Sequence, residues 1–408
     1  MATASVIAPA PASPPEELFE LHTTLWSKIV SALAVPIMAT LMALIIGGVV
    51  MAIARGSLTI PFDAYHQLAI GAFGSWYDIQ ETLTESIPLI FAALAVAFSF
   101  RGGLFNIGAE GQMYAGAIFS TFIGISLHWN VWILLPVCVI ASAVAGAMWA
   151  LIPGLLKAYR GAHEVITTMM LNYVALNLLH YLVNVSTSGS AGPLQGTPAI
   201  PSSIGVNARF PIIVPGFLVQ FADLNAAFLL AIVCGIAFWF ILARTTLGYN
   251  VRATGFNIKA ARYAGINVSL TIVLTLVISG AFAGLAGSAY VFGVGGQLQD
   301  TFDSFTFGFD AIAVALLGKN TAAGAVLAAI LFGALDQGGR NMQAISFIDP
   351  HIISIIQGLI IFFVGAEALV RYVTKEPANG FLWVARHLGS RISRGGKPPE
   401  APAAGATT

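Results

Sequence analysis

Apolar residues in this chain gather into runs of about 20 or more, long enough to cross a hydrocarbon layer of roughly 30 Å as helices. Such runs cover residues 29–54, 82–100, 131–156, 224–243, 270–292 and 352–370. A further run opens at Glu164 and continues past His180. Two others are interrupted. Glycines 102, 103, 108 and 111 break the run that follows Arg101 and ends near His128, and Gly318, Lys319 and Asn320 cut 307–335 into two short halves. Counting the halves separately, the pattern predicts an all-α polytopic membrane protein of about ten transmembrane segments, some of them short broken helices. Similar numbers of segments lie before and after a central polar island, so pseudo-symmetric halves are expected.

The polar stretches orient these segments. Residues 244–269 carry Arg244, Arg252, Lys259 and Arg262 with no acid among them, which places the island in the cytoplasm by the positive-inside rule. Arg101, Lys157 and Arg160 mark the same side. Asp63, Asp78 and Glu81 against a lone Arg55, with Trp76 and Tyr77 alongside, make 55–81 external, and the Gly-, Ser- and Pro-rich stretch 186–223 reads as a long external loop. Residues 1–28 form an Ala-, Pro- and Ser-rich tail, expected to be disordered and cytoplasmic. Residues 372–408 form a basic cytoplasmic tail, because Arg371, Lys375, Arg386, Arg391, Arg394 and Lys397 outnumber Glu376 and Glu400. The membrane domain is therefore 29–371, with both termini inside.

Composition narrows the class. With 57% hydrophobic and 9% charged residues, the chain is far from a soluble domain, where charged residues make up about a quarter. A net charge of +0 gives no field that would draw nucleic acid. Cys138 and Cys234 both fall inside apolar runs, so neither a disulfide framework nor a metal site is expected.

Three polar constellations stand out. In the island, Asn257 is a good helix N-cap, 258–264 makes about two turns, and Gly265 falls where a left-handed C-cap belongs. Ala260, Ala261 and Ala264 would give this short helix a small-residue face for a partner, flanked by Lys259, Arg262 and Tyr263; the alternative is a solvated basic loop. In the glycine-broken span, Asn106, Glu110 and Tyr114 recur every fourth residue on one predicted helix face. They either clamp the break or line a translocation path, since a charged residue at membrane depth costs about 2.5–3.5 kcal/mol unless partnered. Tyr173, Asn177, His180 and Asn184 form a polar stripe on the helix opened by Glu164. They serve either as glue between helices or as hydrogen-bonding groups for a hydroxyl-rich solute.

No GxxxxGK[ST], HExxH or GxSxG occurs, so neither nucleotide hydrolysis nor an intramembrane hydrolase is expected of this chain, and no cofactor is implied. A membrane pathway with a cytoplasmic dock points to the passive part of a powered transporter. The alternative class is an ion-coupled secondary transporter using Glu110 or Asp310.

RGGLFNIGAEGQ from Arg101, EVITTMMLNY from Glu164 and RATGFNIKAARYAGI from Arg252 resemble the permease subunits of bacterial ATP-binding-cassette importers. They are most similar to the nucleoside and simple-sugar branch, related to ribose and branched-chain amino acid permeases, and the likeness covers about 82–371. His163 departs from the Asn usual in that family, and Ile258 from the Pro often found there. The resemblance implies a non-catalytic permease of the bacterial inner membrane. It would be paired with a second homologous permease, two cytoplasmic ATPase subunits and an external binding protein or lipoprotein. Gly255, Asn257, Ala260, Ala261, Arg262 and Gly265 would then belong to the helix that couples it to the ATPase.

Overall fold

In the computed structural model, the described residues are 25–127, 129–183, 194, 210, 212–214, 224–295, 298, 307–349 and 351–365. The chain divides into two compact units. One comprises Met1–Met38 and Ala366–Thr408, of which only 25–38, the first part of helix α1, is described. The other, Ala39–Gly365, holds the helical bundle.

The helices are α1 (Leu25–Arg55), α2 (Ile60–Phe73), α3 (Trp76–Arg101), α4 (Ala109–Ser126), α5 (Val131–Arg160), α6 (Glu164–Val183), α7 (Ala226–Arg244), α8 (Thr246–Phe256), α9 (Ile258–Tyr263), α10 (Val268–Ala289), α11 (Phe307–Leu317), α12 (Ala322–Ser346) and α13 (His351–Gly365). α10 runs on into a π-helical turn, Tyr290–Gly295. The expected all-α polytopic architecture holds. Among the described residues seven helices are long and apolar enough to cross a membrane, and α11 and α13 are shorter apolar helices. One small antiparallel pair, β1 (Ile212–Val214) with β2 (Leu224–Asn225), lies at the end of the loop expected to be external. Most of that loop, residues 1–24 of the tail expected at 1–28, the tail at 372–408 and Asn184 lie outside the described residues. α1 begins at Leu25, a few residues before the expected boundary.

α3 is the central helix. Every residue from Ser86 to Ser99 is buried, so this stretch has no polar face and no amphipathic period. α10 and α5 pack against each other more extensively than any other pair, and small residues bring their backbones together. A Cβ placed on Gly146 would lie 2.7 Å from the Gly284 Cα, and one on Gly284 would lie 3.2 Å from the Gly146 Cα. Between lipid-immersed helices the hydrophobic effect gives little drive to associate, so such close van der Waals contact carries the attraction. Ser142 adds hydrogen bonds to the Gly284 carbonyl (3.0 Å) and the Ser288 hydroxyl (2.9 Å).

Two expectations change in form. The segment 55–81 is largely helical. Pro61 stands in the first turn, where its missing N–H is not needed, and α2 lies on α12 through the Asn341 Nδ2–Gln67 carbonyl bond of 2.8 Å. The cut at Gly318–Asn320 is a tight turn with Lys319 and Asn320 at φ 51° and 52°, and the second half extends well past 335 to Ser346.

Candidate functional site

The polar island 244–269 folds as two short helices set end to end. Thr245 caps α8 by accepting the Gly248 N–H at 3.1 Å, and the Arg252 guanidinium bonds the Leu242 carbonyl, tying α8 back to α7. Asn257 then ends α8 in an extended conformation and starts α9, its Oδ1 accepting from the N–H groups of Lys259 (2.9 Å) and Ala260 (3.1 Å). Gly265 has φ +81°, a left-handed value that a side chain would strain. The local chemistry thus shapes a protruding α8–α9 elbow.

Burial reverses one part of the expected dock. Ala261 is only 3% exposed and packs with Leu104, Val268, Ile272 and Leu276, so the alanine face does not present Ala261 to a partner. The reason is the phase of so short a helix: one residue per turn must anchor it to the bundle, and Ala261 is the one that points inward. Lys259, Ala260, Arg262 and Ala264 are exposed. Beside them Tyr263 is 94%, Phe256 89% and Ile258 48% exposed, an apolar and basic surface standing clear of the bundle.

Behind the elbow lies the broken span. Asn106 is not helical, because α4 begins only at Ala109; the face shared by Asn106, Glu110 and Tyr114 is therefore not formed. Gly102 and Gly103 (φ +69°) turn the chain after α3, and in the segment up to Gly108 the residues Leu104, Asn106 and Gly108 are buried while Gly103 and Phe105 are exposed. Asn106 Nδ2 donates to Gln112 Oε1 (2.9 Å) and to Ser279 Oγ (2.8 Å), while its Oδ1 accepts from the Gly108 N–H (3.1 Å) and Gln112 Nε2 (3.0 Å). Asn172 of α6 donates to the Ile107 carbonyl (2.9 Å) and accepts the Gly111 N–H (2.9 Å). Glu110 and Tyr114 do share a helix face. The Tyr114 hydroxyl donates to Glu110 Oε1 at 2.6 Å, and the Gly308 N–H donates to Oε2 at 2.7 Å. Gln112, Asn172 and Ser279 were not singled out from the sequence; Asn172 lies within the EVITTMMLNY stretch, where Glu164 and Thr168 are also buried.

The stripe on α6 stands apart from this network. Thr168, Asn172, Ala175 and Leu179 face the bundle, whereas Tyr173 is 61% exposed, Asn177 is exposed and His180 half-buried. Among the described residues Asn177 bonds back along its own helix, to the Tyr173 carbonyl at 2.7 Å. At the start of α6, Lys157 and Glu164 pair at 2.7 Å across the α5–α6 turn.

Residues 79–365 match the family described as the permease component of branched-chain amino acid transport systems. The guanosine transporter permease NupP of Bacillus subtilis is 39% identical over 351 residues, covering 85% of this chain and 97% of that protein. The glucose transporter permease TsgB13 of Haloferax volcanii is 36% identical, covering 84% and 89%. The nucleoside transporter permease NupB of Lactococcus lactis is 35% identical, covering 82% and 91%. No solved structure matches.

Proposed function

The chain belongs to the family of permease components of branched-chain amino acid transport systems and is a multi-pass permease subunit of an ATP-binding-cassette importer; from that premise we propose that its cargo is nucleosides or closely related simple sugars. The observation that carries the substrate class is the set of relatives at 35–39% identity along most of the chain, two named for nucleosides and one for glucose. In this reading the protein performs no chemistry. It supplies half of a pathway, and ATP hydrolysis takes place in separate cytoplasmic subunits.

The exposed α8–α9 elbow is the docking element for the ATPase, with Phe256, Ile258, Lys259, Ala260, Arg262 and Tyr263 as its contact surface and Asn257, Ala261, Gly255 and Gly265 shaping it. The outward stripe of Tyr173 and Asn177 on α6 supports a pathway between this chain and a second, homologous permease, since amide and phenol groups turned away from their own bundle need a polar neighbour or water at membrane depth. His180 and Asn184 extend the same line of reasoning. A binding protein or lipoprotein outside would deliver solute to that shared space, and the two bundles would rock about it as rigid bodies.

The ion-coupled alternative is not favoured. Both carboxylate oxygens of Glu110 are engaged, by the Tyr114 hydroxyl and the Gly308 N–H, in a clamp between helices. The deciding experiment is uptake of labelled guanosine and adenosine, with ribose and glucose as competitors, in cells with and without this chain, under ATP depletion or a protonophore. Loss of nucleoside uptake on deletion, sensitive to ATP depletion rather than to the protonophore, is expected. Uptake that follows the ion gradient, or unchanged nucleoside uptake on deletion, overturns the mechanism or the substrate respectively.

A further inference from the structure

α11, Phe307–Leu317, is about 16 Å long at 1.5 Å per residue, roughly half the hydrocarbon thickness. A helix leaves N–H groups with partial positive charge at its start and carbonyls with partial negative charge at its end. For α11, the start of the helix and the turn that follows its end are each held by a side chain from one stretch of chain, 101–110. At the start, Glu110 Oε2 accepts the Gly308 N–H at 2.7 Å. At the far end, the turn closing α11 folds back through the Asn320 N–H to the Ala315 carbonyl at 2.8 Å. Arg101 grips that turn, donating from Nε to the Asn320 carbonyl (2.7 Å) and from Nη2 to the Lys319 carbonyl (3.4 Å).

The same stretch is fastened to the cytoplasmic elbow by contacts that leave no slack. A Cβ on Gly255 of α8 would lie 2.9 Å from both the Gly102 carbonyl carbon and the Gly103 nitrogen, and one on Gly103 would lie 3.0 Å from the Gly255 Cα. Backbone therefore rests directly on backbone. One residue further, Leu104 packs against Ala261 of α9. Toward the core, Tyr114 holds the other oxygen of Glu110.

We propose that Arg101 and Glu110 are positioning residues of the transport cycle, clamping α11 at its start and at the turn that closes it and making it one rigid body with the α8–α9 elbow, so that displacement at the cytoplasmic surface reaches the middle of the membrane. The clamp rests on the importer reading, which assigns the elbow to the ATPase. It goes further by naming the helix that receives the motion. Packed cores and paired interfaces shift between discrete arrangements rather than stretch, so a body joined by side-chain bonds at both sides of α11 and a glycine-on-glycine contact carries displacement without damping it.

The test uses the assembled transporter, with its ATPase and binding protein, in proteoliposomes, and reads labelled guanosine moved per ATP hydrolysed. Glu110→Gln takes the carboxylate away from the start of α11, and Arg101→Met removes both bonds to the turn that closes it. Each is expected to lower the transport-to-hydrolysis ratio by roughly tenfold while hydrolysis stays stimulated by loaded binding protein, and Arg101→Lys to restore most of it. A purely structural role would lower transport and hydrolysis together, leave the ratio unchanged, and overturn the clamp. A wild-type transporter whose ATPase ignores the binding protein would instead overturn the importer reading itself.

Because either variant can fail to assemble, a second measurement stands on the unaltered clamp. Spin labels at Tyr249→Cys on α8 and Phe309→Cys on α11, in a background lacking Cys138 and Cys234, report the distance between elbow and helix. That distance is expected to stay constant between nucleotide-free and ATP-trapped states, and its distribution to broaden in Glu110→Gln. A shift between the two states with the clamp intact overturns the proposal.

Discussion

Tyr263→Ala separates docking from folding. The Tyr263 ring is 94% exposed on α9, so its removal takes almost nothing from the packing of this chain, and a change of stability within about 0.5 kcal/mol is expected, as for surface substitutions in general. If the elbow seats in the ATPase, the same ring becomes a buried aromatic anchor, and truncation of such an anchor costs at least about 2 kcal/mol. At 1.4 kcal/mol per tenfold, the affinity of the permease for its ATPase falls roughly thirtyfold. The assay titrates detergent-solubilised permease with fluorescent ATPase and follows thermal unfolding of the permease in parallel. Weakened binding at unchanged Tm is the expected pair of results. Unchanged binding refutes the dock, and a Tm that falls with the binding shows that the ring supports the fold instead.

Other predictions follow from the packing. Ala261→Arg, at a position 3% exposed among Leu104, Val268, Ile272 and Leu276, forces an unpaired charge against an apolar cluster and should cost several kcal/mol, seen as poor recovery of folded permease; a stable Ala261→Arg protein would contradict the inward placement. Gly284→Val drives a side chain into the Ser142–Gly146 backbone of α5 and should destabilise by about 1–3 kcal/mol or more, measured as lowered Tm in detergent. Asn172→Leu strands the Ile107 carbonyl and the Gly111 N–H at a cost of about 1–3 kcal/mol each, again read as a Tm shift. Asn177→Leu lies on the outward face of α6 and should leave Tm unchanged while raising the apparent KM for nucleoside uptake; an unaltered KM removes Asn177 from the path.

How far the sequence carries can be seen residue by residue. The long spans were legible because length and apolarity alone mark a membrane helix. The α9 cap was legible because Asn257 and Gly265 act on backbone groups within a few residues of themselves. Which side of α9 faces inward was not legible. A helix of 6 residues has too few positions for a burial period, and Ala261 is held by Leu104 and Leu276, far away in the chain. The same limit explains Asn106. Its spacing to Glu110 fits a helix, yet its bonds to Gln112 and to Ser279 of α10 are better satisfied by an open bend, and the Ser279 partner lies 173 positions away. α2 was hidden for another reason: its Asp63, with Asp78 and Glu81 beyond it, read as an external stretch, while its contacts with α12 depend on Asn341 and Gly338.

The division of polar groups within the bundle has a physical cause that bears on how the transporter moves. Inside lipid an irregular backbone segment survives only if protein satisfies it, so the broken span is surrounded by Asn172, Ser279 and Gln112, and each of these fixes one neighbouring helix to it. A segment held from α3, α4, α6 and α10 at once cannot be the part that yields. Compliance must lie where polar groups are left facing outward, along Tyr173 and Asn177, and where the elbow stands clear of the bundle at Phe256 and Tyr263. If partners engage at those two surfaces, as proposed, the parts of this chain that change their contacts during a cycle are the ones turned away from its own bundle, and the glycine-broken span acts between them as the rigid lever.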